Sequence, residues 1–299
     1  MSQFGDQSFA CLQYLLPKHA LSRIIYRVMR TQRPWLRKRL LAFFLRHYQV
    51  NMDEAVVRDP YAYASFNSFF TRALNTDARP ISSDARAFVS PVDGTVSQCG
   101  TIERHGILQA KGRTFSLLEL LGGEPRAQKY IGGSFATIYL APYNYHRIHM
   151  PYSGRVRETI YLPGDLFSVN AATARTVPRL FARNERVVCD FDASPSSAPP
   201  NTEKGKNWNF AMVYVGALFV GSMETTWSGE VNPPPRRQLK PIVVTTGVGR
   251  SLGKGEEAGR FNMGSTVVIV VPPNRVTWSD QLRAGAIVRM GEKIGTVTV

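Results

Sequence analysis

The sequence has little cysteine and no apolar run long enough to cross a bilayer. Its three cysteines, Cys11, Cys99 and Cys189, are far apart and include no Cys-x-x-Cys pair. This spacing argues against a disulfide framework and a thiolate metal site, so a reducing compartment is the simpler interpretation. The longest apolar runs, 210–220 and 267–271, are shorter than the about 20 residues that a spanning helix needs. With no signal-peptide pattern either, we expect a chain that does not cross a membrane.

Acidic residues are nearly absent from the first 50 positions. Nine lysines and arginines accompany the single acid Asp6 there, in a chain whose formal net charge is +15. Apolar residues at 21, 24, 25, 28 and 29 share one face of a predicted helix, and arginines lie off that face. Pro34 suits the first position of a second basic helix. Two basic amphipathic helices match the requirements of an in-plane anchor on an anionic membrane surface.

Two other interpretations of these helices stay open. They could be core helices with solvated basic faces, because the same periodicity serves both purposes. They could also bind nucleic acid, since basic segments attract phosphate. No zinc-finger, helix-turn-helix or RNP-type aromatic pattern accompanies them, so we expect no nucleic-acid partner.

The remainder of the chain has a sequence pattern typical of a mostly β protein. A short helix containing Phe66, Phe69 and Phe70 is predicted first, as part of the core. From residue 88, runs rich in Val, Ile, Thr and Tyr alternate with Gly and Pro turns. They predict strands at 88–92, 94–102, 134–141, 154–161, 186–192, 208–220, 222–231, 241–246, 266–271 and 287–299. Segments 193–207 and 232–241 are predicted to be surface loops.

Two Gly-Thr-Val hairpin endings, at 94–96 and 295–297, resemble those of lipoyl and biotinyl carrier domains. The predicted fold class is therefore α+β, with a mostly β, barrel-sandwich-like core and N-terminal amphipathic helices. We expect residues 1–60 to form the basic membrane-associating region and residues 61–299 to form a β-rich catalytic domain.

The tripeptide Gly264-Ser265-Thr266 joins a Gly-rich, charged stretch, 247–260, to the apolar strand at 267–271. Because Gly264 has no Cβ, the chain can adopt a strained turn in which Ser265 Oγ reaches the Gly264 carbonyl. The backbone could then cut itself. The tripeptide alone is a weak signal of self-cleavage, so the prediction depends on whether the chain also contains residues that could activate Ser265.

His146 and His149 are the candidate partners, at the end of the strand predicted at 134–141. A His-x-x-His pair can bind metal, but no third ligand cluster is apparent and Arg147 would repel a cation, so no metal is predicted. The alternative is acid–base chemistry, in which a carboxylate fixes the tautomer of an imidazole. Asp93, in a Pro-Val-Asp-Gly turn, is the candidate carboxylate, although such a turn is also common as plain structure.

Taken as a set, the motifs of this chain resemble those of the phosphatidylserine decarboxylases. The likeness covers nearly the whole chain, including the basic N-terminal helices. The motifs that carry it are Pro91–Gly94, Tyr145–Pro151, Pro163–Asn170, Phe181–Arg186, Gly221–Thr225 and Gly264–Thr266.

The resemblance implies a pyruvoyl enzyme that makes its own cofactor. His149, oriented by Asp93, would deprotonate Ser265, which attacks the Gly264 carbonyl. Cleavage between Gly264 and Ser265 would leave a large chain, 1–264, paired with a small chain, 265–299, whose Ser265 becomes the covalent pyruvoyl group. That group would form a Schiff base with phosphatidylserine and release CO₂ to give phosphatidylethanolamine, with His146 as the proton donor.

The same resemblance implies a peripheral protein on the cytoplasmic face of the cell membrane, and it leaves further oligomerisation open. Two alternatives from other classes also stay open. The first is a serine hydrolase or acyltransferase with an intact Ser265–His149–Asp93 triad, which requires an uncut chain. The second is a non-enzymatic membrane-binding module.

Overall fold

A computed structural model describes residues 3–110, 112–194, 208–219, 222–233 and 238–298. Three helices open the chain, and five shorter ones follow among the described residues. They are α1 (Gln3–Leu15), α2 (Lys18–Met29), α3 (Pro34–His47), α4 (Phe66–Phe70), α5 (Leu117–Leu121), α6 (Glu124–Ala127), α7 (Ala171–Thr176) and α8 (Leu180–Arg183). Single 3₁₀ turns lie at Pro60–Ala62, Thr76–Ala78 and Gln128–Tyr130. The helices predicted around 21–29, from Pro34 and at Phe66–Phe70 are confirmed, whereas α1 and α5–α8 were not predicted.

The described strands are short and every pairing between them is antiparallel. They are β1 (Ala87–Val89), β2 (Gly94–Thr101), β3 (Gly106–Ala110), β4 (Arg113–Ser116), β5 (Ser134–Tyr139), β6 (Arg147–His149), β7 (Gly154–Leu162), β8 (Arg186–Ala193), β9 (Asn209–Val215), β10 (Met223–Thr225), β11 (Gly229–Val231), β12 (Ile242–Val244), β13 (Ser251–Leu252), β14 (Glu257–Phe261), β15 (Thr266–Val271), β16 (Val276–Trp278), β17 (Ile287–Val288) and β18 (Lys293–Val297).

The largest sheet has the strand order β12-β7-β8-β9-β15-β5-β2-β17, with β13 also paired to β7. β15 lies inside this sheet, between β9 and β5, and all six of its residues are buried. Such a strand reads as a continuous apolar run because both of its faces are covered. The residue that precedes β15 is Ser265, so the sequence fixes the serine at the end of a rigid central strand.

A second, four-stranded sheet has the order β11-β10-β14-β6 and carries the two histidines on or beside β6. The chain leaves this sheet at Phe261, the end of β14, and enters the large sheet at Thr266, the start of β15. The crossover between them is held on both sides. Asn67 Nδ2 donates to the Asn262 carbonyl at 2.6 Å, and Asn262 Nδ2 donates to Ser222 Oγ at 2.8 Å. Gly264 and Ser265 therefore lie in a tethered link between two sheets.

Two smaller sheets complete the described part of the chain, β1-β18-β16 and the hairpin β3-β4. The α+β class is confirmed, with several sheets behind N-terminal helices. The described strands do not close into a barrel, so the finer barrel-sandwich arrangement is not confirmed. Of the predicted loop 193–207, Ala193 ends β8 and residues 195–207 lie outside the described residues, as do 234–237 of the predicted loop 232–241.

The N-terminal helices contact the β body in different ways. On α3, Leu41 and Phe44 are buried against the three phenylalanines of α4. On α1, Asp6 pairs with Arg175 at 2.6 Å. None of the helices in the described residues has the length and apolar character that crossing a membrane requires.

The apolar face predicted for α2 is only partly covered. Met29 packs against the phenylalanine cluster of α3 and α4, whereas Ile24 is 57% exposed. The fully buried residues of α2 are Lys18 and Ser22. The core interpretation of the basic helices therefore holds for one face of α3 and for the Met29 end of α2, whereas Ile24 faces solvent.

Candidate active site

Ser265 lies in the interior at the entrance to β15. Its side chain is 1% exposed, and its carbonyl accepts from the Leu140 N–H at 2.8 Å, which extends the β15–β5 ladder by one bond. Ser265 Oγ is nevertheless buried without a hydrogen-bond partner. A buried polar atom that stays unpaired costs about 1–3 kcal/mol, so folded proteins rarely leave one without a reason. The backbone of Ser265 is thus anchored, while its hydroxyl is engaged in no hydrogen bond.

The imidazole of His146 is the nearest histidine ring to the junction. A methyl group added at Gly264 would lie 3.4 Å from His146 Nε2, and the Phe70 ring packs against the imidazole at a tilt of 34°, with centroids 4.0 Å apart. His146 Nδ1 lies 2.8 Å from the Asn144 carbonyl oxygen, which can only accept, so Nδ1 carries the proton and Nε2 presents its lone pair. Like Ser265 Oγ, Nε2 is buried without a partner.

The environment of His146 keeps the ring neutral. Complete burial, together with the nearby charge of Arg72, lowers the pKa of His146 to about 3. Burial disfavours the imidazolium because its charge loses solvation, and a neighbouring cation acts in the same direction. The ring is therefore neutral at physiological pH and its Nε2 lone pair is available, although a low pKa also makes that nitrogen a weaker proton acceptor.

His149 is also neutral, but both of its ring nitrogens are engaged. Its Nδ1 lies 2.8 Å from the Gly255 carbonyl and its Nε2 lies 3.0 Å from the Tyr145 hydroxyl. Since the Gly255 carbonyl can only accept, Nδ1 donates and Nε2 accepts from Tyr145. Burial lowers the pKa of His149 and raises the pKa of Tyr145 to about 12. His149 can act as a base on Ser265 only after Tyr145 releases its Nε2.

Asp93 is paired with Arg79 and not with a histidine. Arg79 Nε donates to both carboxylate oxygens, at 2.9 and 3.1 Å, and Arg79 Nη2 donates to Oδ2 at 2.6 Å. The Met290 N–H donates to Oδ1 at 2.9 Å. Burial alone would lower the pKa of Arg79, but its hydrogen bonds to Asp93 and Glu54 outweigh burial and raise it. Asp93 is therefore one end of a buried ion pair.

The structure thus brings together some of the predicted residues and separates others. His146, Gly264 and Ser265 meet at the crossover between the two sheets. Asp93 and His149 are neighbours through the backbone, since the His149 N–H donates to the Pro91 carbonyl at 2.8 Å, but no hydrogen bond joins their side chains. The Ser265–His149–Asp93 hydrogen-bonded relay expected from the sequence is not assembled in the continuous chain. The roles assigned to these residues stay predictions.

The strained turn expected at Gly264 is absent. Its φ lies outside the left-handed region, and an added Cβ would meet its neighbours only at ordinary contact distances, the closest being His146 Nε2 at 3.4 Å. The tethers on Asn262 already direct the chain into β15, so no unusual backbone conformation is needed.

Sequence reasoning missed several residues that shape this site. Phe70, predicted only as core, packs against His146, and Tyr145 holds His149. Arg79 was not singled out although it binds Asp93. No local signal could have found it, since Arg79 is 14 positions away and its type is common on surfaces. Arg72, the cation that helps keep His146 neutral, was missed for the same reason.

No cluster of three or more His, Cys, Asp or Glu side chains with metal-binding geometry occurs within the described ranges. The expectation that the protein needs no metal stays a prediction.

Comparisons with known proteins extend over nearly the whole chain. A family model described as phosphatidylserine decarboxylase matches residues 66–296, and a second, described as PSD, matches residues 8–49. A phosphatidylserine decarboxylase proenzyme from Stutzerimonas stutzeri is 48% identical over 297 residues, covering 98% of this chain and 96% of its own length. Proenzymes of the same name from Pseudomonas putida (50% over 287 residues, covering 95% and 96%) and Bordetella pertussis (48% over 294 residues, covering 97% and 95%) are similar to the same extent. This chain belongs to the phosphatidylserine decarboxylase family.

Proposed function

We propose that this chain cuts itself between Gly264 and Ser265 and then decarboxylates phosphatidylserine to phosphatidylethanolamine and CO₂. One observation carries the proposal. Ser265 Oγ is buried without a partner at a junction where a neutral histidine, His146, presents an equally unpartnered Nε2. The family model and the proenzyme relatives support the same reaction.

Self-cleavage needs only groups that the chain contains. A neutral imidazole removes the Ser265 hydroxyl proton, Oγ bonds to the Gly264 carbonyl carbon, and the bond from that carbon to the residue 265 nitrogen breaks. The resulting ester is lost by elimination across Cα–Cβ of residue 265, which releases chain 1–264 with a free carboxylate. The dehydroalanine left behind takes up water and loses ammonia, which gives a pyruvoyl group at the start of chain 265–299.

The surroundings of Ser265 suit a covalent pyruvoyl group. The residue is anchored by the β15–β5 ladder through its carbonyl, and the space around its side chain is closed to solvent. The group would supply a carbonyl that condenses with the substrate amine and an electron sink for the electron pair left when CO₂ departs. His146 lies beside it with a free Nε2 and is the candidate for returning a proton to the substrate carbon.

The division of labour between the histidines remains our proposal. The resemblance to the family assigns self-cleavage to His149 with Asp93 and turnover to His146. The contacts of the continuous chain favour His146 for both steps, because His149 Nε2 is held by Tyr145. If His149 is the base for cleavage, the Tyr145 hydroxyl must rotate away first.

The basic helices support a peripheral location on an anionic membrane surface, on its cytoplasmic face. Residues 1–60 would attach the catalytic domain, 61–299, to the lipid that contains the substrate. The exposed Ile24, Trp35 and Phe43 could insert among head groups, while Lys38 and Arg39 beside them attract anionic lipid. The two mature chains would stay together as a heterodimer, because β15 of the small chain is paired on both sides with strands of the large chain.

Intact-mass spectrometry combined with a CO₂-release assay tests the proposal. Wild type should give two chains, 1–264 and 265–299, with the small chain blocked at its N-terminus. Ser265→Ala should remain one chain and release no CO₂ from phosphatidylserine, whereas the exposed control Ser83→Ala should behave as wild type. Treatment with phosphatidylserine and cyanoborohydride should add lipid mass to chain 265–299 alone.

Active protein recovered as one uncut chain would contradict the proposal and favour a hydrolase with an intact serine. The absence of an assembled triad argues against that alternative. A protein that has no carbonyl at residue 265, traps no substrate and releases no CO₂ would favour the membrane-binding module.

A further inference from the structure

A buried guanidinium beside the candidate site has no counter-ion. Arg72 is 4% exposed, and its Nε is buried without a hydrogen-bond partner. Its one hydrogen bond in the described part of the chain runs from Nη2 to the Tyr143 carbonyl at 3.3 Å. The guanidinium also lies over the Phe69 ring, 5.6 Å from its centroid. No ion pair of Arg72 occurs among the described residues.

The nearby carboxylates are already engaged. Asp93 and Glu54 both bind Arg79, which lies between them. Burial lowers the pKa of Arg72, and the charges of Asp93 and Glu54 offset only part of that effect. Proteins seldom retain such a charge unless an anion neutralises it at some stage. The missing partner must therefore arrive from outside the described fold.

Arg72 lines a polar cavity of about 210 Å³. Its other walls include Arg79, Asp93, Asn144 and Tyr145. The Asn144 carbonyl accepts a hydrogen bond from His146 Nδ1, and the Tyr145 hydroxyl donates to His149 Nε2. Two residues of the cavity wall therefore contact the imidazoles, although neither ring lines the cavity itself. An anion bound here would contact residues that hydrogen-bond to the two imidazoles.

The head group of phosphatidylserine offers two anions, a carboxylate and a phosphodiester. The carboxylate loses its charge as CO₂ departs, so a cation paired with it would stabilise the ground state more than the transition state and slow the reaction. The phosphodiester keeps its charge throughout, and guanidinium groups bind such oxygens well. Arg72 suits the anion that does not react.

We propose that Arg72 binds the phosphodiester of the substrate head group in this cavity and selects substrates in which serine carries a phosphate. This inference rests on the function proposed above. A free phosphate ester offers the same oxygens as the lipid, so soluble compounds can test the contact without a membrane.

The test compares two soluble substrates, glycerophosphoserine and L-serine, by the ratio of their kcat/KM values for CO₂ release. The variants are Arg72→Gln and Arg72→Lys, with Arg58→Gln as a control that removes an exposed arginine. Intact-mass spectrometry first establishes that each variant has been processed. Loss of one charge-assisted hydrogen-bond site corresponds to about 10- to 100-fold, so Arg72→Gln should lower the ratio by that factor.

Arg72→Lys should keep part of the preference, and Arg58→Gln should keep all of it. Inorganic phosphate should compete with glycerophosphoserine in wild type and compete at least tenfold more weakly in Arg72→Gln. A ratio is the chosen readout because any change in the His146 pKa affects both substrates alike.

An unchanged ratio in processed Arg72→Gln would overturn the inference, since a guanidinium that binds the carboxylate or only supports the fold affects both substrates equally. If Arg72→Gln is not processed, the inference is tested by the ratio in Arg72→Lys and by phosphate competition in wild type. The absence of phosphate competition would then overturn the inference. If processed wild type releases CO₂ from phosphatidylserine vesicles with no preference between the soluble compounds, the inference fails while the proposed function stands. If wild type acts on no substrate, the proposed function itself fails.

Discussion

Replacing Asp93 with Asn separates a structural role for this carboxylate from a catalytic one. If Asp93 orients His149 during self-cleavage, the substitution should block processing with little effect on folding. The contacts predict a different result. Asp93 accepts from Arg79 at 2.6–3.1 Å and from the Met290 N–H at 2.9 Å, and the Arg79 and Asp93 side chains are both more than nine-tenths buried.

The magnitude follows from what the substitution leaves behind. Removing one member of a buried ion pair leaves an uncompensated charge and costs about 3–5 kcal/mol. Glu54 lies 2.9 Å from Arg79 Nη2 and still neutralises part of that charge, so we expect about 3 kcal/mol for Asp93→Asn. The double variant Asp93→Asn/Arg79→Gln removes the buried ion pair whole, and Glu54, which loses Arg79, is partly exposed and keeps Arg289 at 3.9 Å. The free energy of unfolding that the double variant loses should be about 2 kcal/mol smaller than the sum of the losses in the two single variants.

Urea unfolding of the uncut Ser265→Ala background measures these stabilities, and mass spectrometry of the same substitutions with Ser265 present measures processing. Using the uncut background keeps unfolding a one-chain equilibrium. We expect the double variant to recover processing relative to Asp93→Asn. An Asp93→Asn protein within 1 kcal/mol of its parent that is still unprocessed would refute the structural interpretation and restore the relay to His149.

Three further predictions concern the histidines, pH and the membrane. His146→Ala should abolish CO₂ release. If this variant also stays uncut while His149→Ala and the exposed control His47→Ala are cut, His146 is the base for cleavage. The reverse pattern assigns that step to His149. Because burial lowers the pKa of both rings, self-cleavage of freshly refolded precursor should keep its rate from pH 7.5 to 5.5. Over that range an unperturbed imidazole would lose about tenfold of its neutral form. A rate that falls with a midpoint near pH 6.5 would contradict the buried neutral rings. The same lowered values mean that stability is present above the unfolded pKa and declines as pH falls below it, so folding is checked by circular dichroism at each pH. Replacing the exposed Lys38, Arg39 and Arg46 with Gln should weaken sedimentation with anionic vesicles by about 1 kcal/mol per charge and leave processing intact, whereas unchanged sedimentation would show that these charges do not anchor the protein.

Much of the architecture could be predicted because its signals are local. β15 is a run of six β-branched residues, which reads as a buried strand without knowledge of its partners. Pro34 marks the start of α3 and the spacing of apolar residues marks α2. By contrast, α1 contains Gly5 and apolar residues without clear periodicity. β14 reads as a charged, Gly-containing stretch and becomes a strand only through its pairing with β10 and β6.

The sequence predicts which residues are candidates for the site, but it does not predict the contacts that they make. The types and spacing of Ser265, His146 and His149 point to acid–base chemistry, and the resemblance to the family assigned their roles. The partner of Asp93 depends on where the 3₁₀ turn at Thr76–Ala78 delivers Arg79. That position depends on the tertiary structure, and no periodicity or motif in the sequence predicts it. A guanidinium and an imidazole are both plausible partners for a buried carboxylate, and only packing decides between them.

The spacing of the two histidines gives a physical reason for expecting two roles. In an extended chain, residues separated by an odd number of positions point to opposite faces, so His146 and His149, at or beside β6, cannot share one environment. The observed contacts follow that rule, since His146 Nε2 approaches Gly264 while His149 is held by Tyr145 and Gly255. Both rings are neutral because they are buried, but only His146 has a nitrogen with no partner. In the continuous chain His146 can therefore take part in proton transfer as it stands, whereas His149 can do so only after Tyr145 releases its Nε2, and the processing of His146→Ala and His149→Ala decides which ring acts in cleavage.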